Sequence, residues 1–356
     1  NRNTAFVPFG AFGATDPDIN SPRVQSWNVT IERELGRDWG TSMSYLGSYS
    51  DRLWNQLQLN PAVFLGLDAC TINGVVFRTC STAANVNERR LLSLSGENPE
   101  ASKLIGNLDL HTDIGTQSYR GLKLSFRRRS ATGVSLNGNY TWSRCFGDAT
   151  TGGFPQLAQG FLNPADPAMD RGYCDQDRTH LANFTVGVQT PRFSSSALRA
   201  VASDWRVSGI LNARSGRWLT VTTGRDIALN GQRFQEQRVD QVSGDAYGEK
   251  TLARYLNRAA FAQPAPGTFG THRRNSIKGP GFWNIDLALS RLVTLGTGRS
   301  LELRVEAFNL LNHFNWGDPG TNFNAGTFGR IQSLAGTPGN VVGTPRIMQF
   351  GIKYGF

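Results

Sequence analysis

No long oily run occurs in this sequence. Nowhere in its 356 residues are there about 18 to 20 consecutive apolar residues, the length a membrane-spanning helix needs, so helical spans are excluded. Histidine and cysteine are scarce, with four of each. The histidines are widely separated and the cysteines do not follow a zinc spacing, so neither a metal site nor any cofactor is expected. Nucleophile elbow, zincin motif and P-loop are all missing. Asp175, Asp177 and His180 lie close together but lack a matched serine pattern, so no catalytic residue is assigned and an enzyme is not expected. Acidic residues are the minority charge, 27 against 37 basic, which leaves a net charge of +10. Such an excess often marks a nucleic-acid surface. Here the positive groups are scattered, with Arg127 to Arg129 at a strand end and Arg273 and Arg274 in a loop, and no RNA-binding signature surrounds them. Solvated turns and anionic lipid headgroups account for the charge better. Asn1 to Gly13 carries no basic region feeding an apolar core and no initiating Met, so it is not a signal peptide. The expectation is a mature or truncated piece whose upstream part is missing.

What the sequence does have is glycine and aromatic residues: 40 Gly, 21 Phe, 8 Trp and 8 Tyr, with hydrophobic residues at only 39%. Large transmembrane barrels have this balance, because half of each strand faces polar space. Apolar and polar residues alternate with period 2 in nine segments: Val24 to Glu34, Trp39 to Tyr49, Gln117 to Arg129, Thr132 to Ser143, His180 to Thr190, Asp204 to Thr222, Gly281 to Val293, Arg299 to Asn309 and Thr344 to Phe356. Ser215 and Gly216, inside the sixth, read as a bulge. Short connections (Leu35 to Asp38, Ser130 and Ala131, Pro191 to Ser203, Thr294 to Gly298) alternate with long ones (Ser50 to Thr116, Arg144 to Thr179, Thr223 to Pro280, Leu310 to Gly343). Short periplasmic turns opposite long extracellular loops are how bacterial barrels are built. The fold class expected is therefore all-β, a transmembrane antiparallel barrel with long extracellular loops. Bacterial barrels have an even number of strands, and an open nine-stranded sheet leaves edges unsatisfied in lipid, so the nine strands are expected to be part of a larger barrel. Residues 1–23 are taken as an upstream loop or linker and 24–356 as the barrel segment.

Side-chain alternation assigns the two faces. Leu301, Leu303, Val305 and Ala307 share one parity and Glu302, Arg304 and Glu306 the other. An Arg on the lipid face at mid-depth costs about 2 to 4 kcal/mol, so the charged parity faces the lumen. By the same argument Trp283, Ile285, Leu287 and Leu289 face lipid and Asn284 and Asp286 face inward, while Leu122, Leu124, Phe126, Phe184, Val186, Val188, Phe350, Ile352 and Tyr354 point outward. The candidate lumen residues for substrate are Asn284, Asp286, Glu302, Arg304, Glu306 and Lys353. Trp27, Trp39, Tyr140, Trp142, Trp205, Trp283 and Phe356 sit near strand ends, as interfacial anchors do. Long-loop aromatics, among them Trp54, Phe154, Phe161 and Trp316, are candidates for stacking on a ligand or for building small local cores. Four cysteines allow three pairings. The nearest-neighbour pairs Cys70 with Cys80 and Cys145 with Cys174 each lie inside one long loop and suit loop-stapling disulfides in an oxidising compartment.

Several segments together resemble the C-terminal barrel of TonB-dependent outer-membrane receptors, in particular the Oar-like type with a carboxypeptidase-regulatory-like N-terminal domain. They are SWNVTIERELGRDWGTSMSYLGS at Ser26 to Ser48, SYRGLKLSFRRR followed by GVSLNGNYTWSR at Ser118 to Arg144, DRTHLANFTVGV at Asp177 to Val188, DWRVSGILNARSGRWLTV at Asp204 to Val221, LRVEAFNLLNHFNW at Leu303 to Trp316 and the terminal RIMQFGIKYGF. The resemblance implies the last nine strands of a 22-stranded barrel in the bacterial outer membrane, with a plug and a TonB-box absent from this sequence. It implies active uptake of a scarce substrate such as a siderophore or glycan. The partners implied are the TonB complex acting through the plug region, the barrel-assembly machinery reading the C-terminal strand, and outer-membrane lipid or lipopolysaccharide. A passive channel or surface adhesion barrel without energy coupling is the alternative.

Overall fold

A computed structural model of the chain describes residues 7–129, 133–148, 160–232, 236–335 and 345–356. Eleven strands make up the main sheet among the described residues: β1 (Gly10–Thr15), β2 (Arg23–Leu35), β3 (Trp39–Gln58), β4 (Ile105–Arg128), β5 (Val134–Gly147), β6 (His180–Gln189), β7 (Trp205–Arg214), β8 (Phe282–Gly296), β9 (Arg299–Phe308), β10 (Ile347–Gly355) and the short strand Gly172–Tyr173, which pairs with β5. From β2 to β10 each strand pairs with the next in sequence, antiparallel throughout, so the sheet is an up-and-down meander. These nine strands correspond one to one with the nine alternating segments. No helix among the described residues is long and apolar enough to cross a membrane.

The register converts alternation along each strand into continuous rows across the sheet. One row joins Leu136 of β5 to Val186, Gly209 and Leu287, and Leu287 to Ala307 and Met348. Leu289, Val305 and Phe350 form the neighbouring row on the same face. The opposite face carries Glu306 beside Gln349 and Glu302 beside Lys353. In these rows the apolar and charged parities therefore stay separate, as side-chain sterics demand once strands are in register. Gly138 shows how closely the apolar face packs: a Cβ there would collide with Phe126 and Phe184, whose rings flank it from β4 and β6 at a 5.8 Å centroid spacing.

Two arginines of the outward parity sit at the short-turn end, Arg128 of β4 and Arg291 of β8. Arg128 lies over the Trp39 ring at 5.4 Å, and Arg291 over Trp205 at 5.3 Å while donating to the Ala200 carbonyl. Each is an amphipathic pair placed where long cationic side chains reach the polar interface.

Three features depart from the sequence reading. The sixth strand does not continue through a bulge at Ser215 and Gly216 to Thr222; β7 ends at Arg214, and Trp218–Leu219 pairs instead with Ile277–Lys278. The cause is a backbone crossing, because a Cβ on Gly216 would strike the carbonyl of Gly279. β3 and β4 extend well into the segment read as the first long loop, and there β1 pairs parallel to Ile105–His111 alongside the Leu57 and Leu110 contact. Pro191 to Ser203, read as a plain turn, contains the helix Ser196–Ala202. Ser130 and Ala131 lie outside the described residues.

The described parts of the long connections are folded. Val221, Val239, Leu256, Phe261, Ile277, Phe328 and Ile331 form a buried core in the loops after β7 and β9, with Tyr247, Trp316 and Phe323 packed against it. The ion pair Arg238 to Asp170, at 2.6 Å with both side chains 4% exposed, ties this core to the loop after β5. Disulfides join Cys70 to Cys80 and Cys145 to Cys174, the nearest-neighbour pairing.

Candidate functional site

The polar face of the sheet is most elaborate where β5 to β8 approach the loops. Asn139 of β5 is in register with Asn183, Asn183 with Asn212, and Asn212 with Asn284, so four adjacent strands present asparagine at one level. Asn183 donates to the Asn139 carbonyl oxygen at 3.4 Å. Each of these residues belongs to the polar parity of its own strand; only the pairing between strands aligns them.

At the end of this ladder Asp286 organises the first turn of the last loop. Its Oδ1 accepts from the Asn284 amide at 3.0 Å and from the backbone N–H of Asn309 at 2.8 Å. Asn309 in turn bridges to His313, its side chain donating to the His313 carbonyl at 2.9 Å and accepting from the His313 N–H at 3.0 Å. Asn309 and Asn312 have φ of 49° and 51°, a left-handed conformation that asparagine tolerates better than most residues. The chain then crosses over β8, where Asn315 accepts from the backbone N–H of Trp283 at 2.9 Å and His313 stacks on the Trp283 ring at 4.2 Å.

Beneath this crossing lies a pocket of about 570 Å³ lined by Asn183, Asn212, Asn284, Asp286, Asn315 and Gln349, with Leu181, Phe282, Phe308 and Ile347 as its apolar part. Two buried atoms in it have no hydrogen-bond partner among the described residues, Asn284 Oδ1 and Asn315 Nδ2. Their orientations follow from their neighbours: Asp286 only accepts, so Asn284 presents its nitrogen there, and the Trp283 N–H requires the Asn315 oxygen. One free acceptor and one free donor remain. An unpaired buried polar group costs about 1 to 3 kcal/mol. The pocket thus favours a ligand that offers donors and acceptors together, such as hydroxyl or amide groups.

The other lumen candidates form a separate cluster nearer the short turns. Arg304 pairs with Glu302 at 2.9 Å and with Glu306 at 3.5 Å, and Lys353 of β10 is in register with Glu302 of β9. Asn284 and Asp286 are therefore brought together, and Glu302, Arg304, Glu306 and Lys353 are brought together, but the two groups occupy different depths. Among the loop aromatics, Trp54 is partly exposed and donates to the Asn20 carbonyl at 2.8 Å. Phe161 is 2% exposed, its backbone bonded to Gln56, and Trp316 packs on the loop core; both serve packing. Phe154 lies outside the described residues.

The acid and histidine group noted in the sequence is structural in its contacts. Asp177 accepts from the Cys145 N–H and the Trp218 indole, both at 2.7 Å, Asp175 pairs with Arg274 at 3.2 Å, and His180 bonds the Tyr140 hydroxyl at 2.7 Å. No group of three or more His, Cys, Asp or Glu able to hold a metal occurs among the described residues. Sequence reasoning missed Asn139, Asn183, Asn212, Asn309 and Asn315. The first three are visible as polar residues of alternating strands, but nothing in one strand states which residue of the next it meets.

A family model for the outer membrane beta barrel domain matches residues 1–349. No curated protein matches the sequence. Among solved structures the chain is similar to the outer membrane transporter YddB from Escherichia coli, at 9% identity and a TM-score of 0.48, over 98% of this chain and 35% of that one. It is also similar to BauA, the ferric preacinetobactin receptor from Acinetobacter baumannii, at 14% identity and a TM-score of 0.40, over 94% of this chain and 29% of that one. The FrpB iron transporter from Neisseria meningitidis matches at 10% identity and a TM-score of 0.41, over 97% of this chain and 33% of that one. The chain spans about a third of the length of these structures.

Proposed function

We propose that this chain builds part of the wall of an active transporter, from the premise that it belongs to the outer membrane beta barrel domain family and lies in the bacterial outer membrane. β2 and β10 are the edges of the meander. Unpaired backbone groups in lipid cost several kcal/mol each, so both edges are completed by further strands of a larger barrel. The loop end faces outside and the short turns face the periplasm. The reading is the C-terminal barrel segment of a TonB-dependent receptor, in which a plug fills the lumen and energy from the inner membrane moves it.

The observation that carries this reading is the division of the lumen wall into two levels. The amide pocket with its free acceptor and donor lies under structured loops, where a substrate entering from outside arrives first. The cluster of Glu302, Arg304, Glu306 and Lys353 lies below it, where fixed charges of both signs hold a plug by ion pairs that break during transport. A siderophore, glycan or similar small polar substrate fits the amide pocket.

Uptake by cells expressing the full-length protein tests this. Accumulation of a panel of iron chelates and oligosaccharides is expected to require the protein, to stop when a protonophore collapses the inner-membrane gradient, and to fall with Asn284→Leu. Accumulation that continues in de-energised cells, together with steady conductance in planar bilayers, would establish a passive channel instead.

A further inference from the structure

One rung above the asparagine ladder the polar face changes character. Arg214 lies two residues beyond Asn212 on β7, so its side chain shares that face, about 7 Å nearer the loops. Its partners in register are Leu181 of β6 and Phe282 of β8, and its guanidinium lies over the Phe282 ring at 4.9 Å. Arg214 is exposed and lines the amide pocket. No carboxylate pairs with it among the described residues.

The acidic groups in the neighbourhood are committed elsewhere. Asp318 pairs with Arg217 at 2.5 Å, and Asp177 accepts from the Cys145 N–H and the Trp218 indole. Asp286, the acid of the pocket itself, accepts from the Asn284 amide and the Asn309 N–H. Arg178, in the loop before β6, is held below the ordinary arginine pKa by burial first and then by the Arg214 and Arg217 cations. Three guanidinium groups therefore lie within one another's field, and Arg214 is the one that opens on the pocket. A recess with such an excess of positive charge draws an anion.

We infer that the amide pocket takes the C-terminal end of a short peptide, with the α-carboxylate on Arg214, the last peptide group on Asn284 and Asn315, and the last side chain against the apolar wall. The chemistry matches group by group. Asn284 Oδ1 lacks a donor and Asn315 Nδ2 lacks an acceptor, and a peptide N–H and C=O supply the two together. A carboxylate accepts two parallel N–H bonds from a guanidinium. Carboxylate and preceding amide are one residue apart, about 3.5 Å, and the long Arg214 side chain can span the rest of the rung. Leu181, Phe282, Phe308 and Ile347 form a wall that suits an apolar side chain. An acidic sugar satisfies Arg214 but sets hydroxyl groups against that wall, and a neutral glycan leaves Arg214 unpaired. The inference rests on the proposed reading of this face as lumen wall, not on energy coupling.

The test is isothermal titration calorimetry of the full-length protein, purified in mild detergent, with N-acetylalanyl-leucine, its C-terminal amide and glucuronic acid. The free peptide acid is expected to bind, and its amide about tenfold more weakly or worse, the loss of one charge-assisted hydrogen bond. Added salt should narrow that gap. Arg214→Gln should bring the acid down to the affinity of the amide, and Asn284→Leu should weaken acid and amide alike. Heat-modifiable gel mobility shows that each variant assembles. No binding of the peptide acid, equal binding of acid and amide by the unaltered protein, or equal binding of glucuronic acid would overturn the inference, as would an Arg214→Gln protein that still prefers the acid. Transport fails separately. Peptide bound in detergent but not accumulated by energised cells sinks the transporter reading alone, whereas chelates or oligosaccharides accumulated without peptide binding sink this inference alone.

Discussion

Placing one arginine at Val305 tests the whole assignment of faces. Val305 is flanked in register by Leu289 of β8 and Phe350 of β10, so its side chain has apolar neighbours on both sides. It lies four residues along β9 from Leu301, the first apolar residue of the same parity, and at about 3.4 Å per residue with a strand tilt of about 40° this is about 10 Å of depth. Within an apolar band about 25 Å tall, that is close to the midplane. The cost of Arg there is about 2 to 4 kcal/mol, a reduction of about 30-fold to 900-fold in the folding equilibrium. Against a stability of about 5 to 15 kcal/mol, this is enough to deplete the assembled barrel. Glu302→Gln is the control. Glu302 pairs with Arg304 at 2.9 Å on the opposite face, and a partly exposed ion pair contributes about 0 to 1 kcal/mol. Both substitutions belong in the full-length protein, read by heat-modifiable gel mobility of outer-membrane fractions and by urea titration in bilayers. Val305→Arg and Leu287→Arg should lose the folded band and Glu302→Gln should keep it. If both arginine variants assembled normally while Glu302→Gln failed, lipid and lumen faces would be exchanged and the pocket at Asn284 would face the membrane.

Asp286→Ala removes the acceptor for the Asn309 N–H and the Asn284 amide, and should cost about 1 to 3 kcal/mol with faster hydrogen exchange at residues 309–313, whereas Asp286→Asn keeps an acceptor and should do less. The Cys145 and Cys174 disulfide closes a separation of 29 residues and Cys70 with Cys80 one of 10, so loop-closure entropy assigns about 3.6 and about 2.7 kcal/mol to them; replacing each pair by serine should lower the thermal midpoint more for the first. His272 is buried in the loops, and burial, then the Arg238 cation, hold its imidazole down to about 4 from 6.5. The unfolded loop takes up its proton first, so stability is full above pH 6.5 and is lost as pH falls toward 4, by about 3 kcal/mol. His272→Gln should remove that part of the acid sensitivity, read as hydrogen exchange of the loop core at pH 7 and pH 4.5.

The strands were legible because lipid punishes every parity error. In Arg299–Phe308 the separation of Leu301, Leu303 and Val305 from Glu302, Arg304 and Glu306 is complete, and the structure keeps it. The end of β7 was not legible, since what stops it at Arg214 is the Gly279 carbonyl approaching Gly216 from a distant part of the chain. The loop core was also hidden: Val221, Val239 and Phe328 follow no period and are drawn together only by tertiary packing. At the site, Asn284 and Asp286 could be read from one strand. Their relation to Asn139, Asn183 and Asn212 needed the register of three hairpins, which turn geometry sets and composition does not.

The four asparagines at one height have a consequence for anything that touches them. A primary amide carries no net charge and holds a donor and an acceptor side by side, so the four rungs present uncharged polar groups of one kind, even though Asn284 and Asn183 each direct an N–H to a neighbour. Attraction to such a surface is short-ranged and nearly indifferent to ionic strength, unlike attraction to Arg304 or Glu302. A molecule shifted sideways by one strand, about 4.8 Å, meets equivalent chemistry again. On the transporter reading proposed above, a neutral ligand on this wall would find several neighbouring positions of similar energy rather than one deep trap.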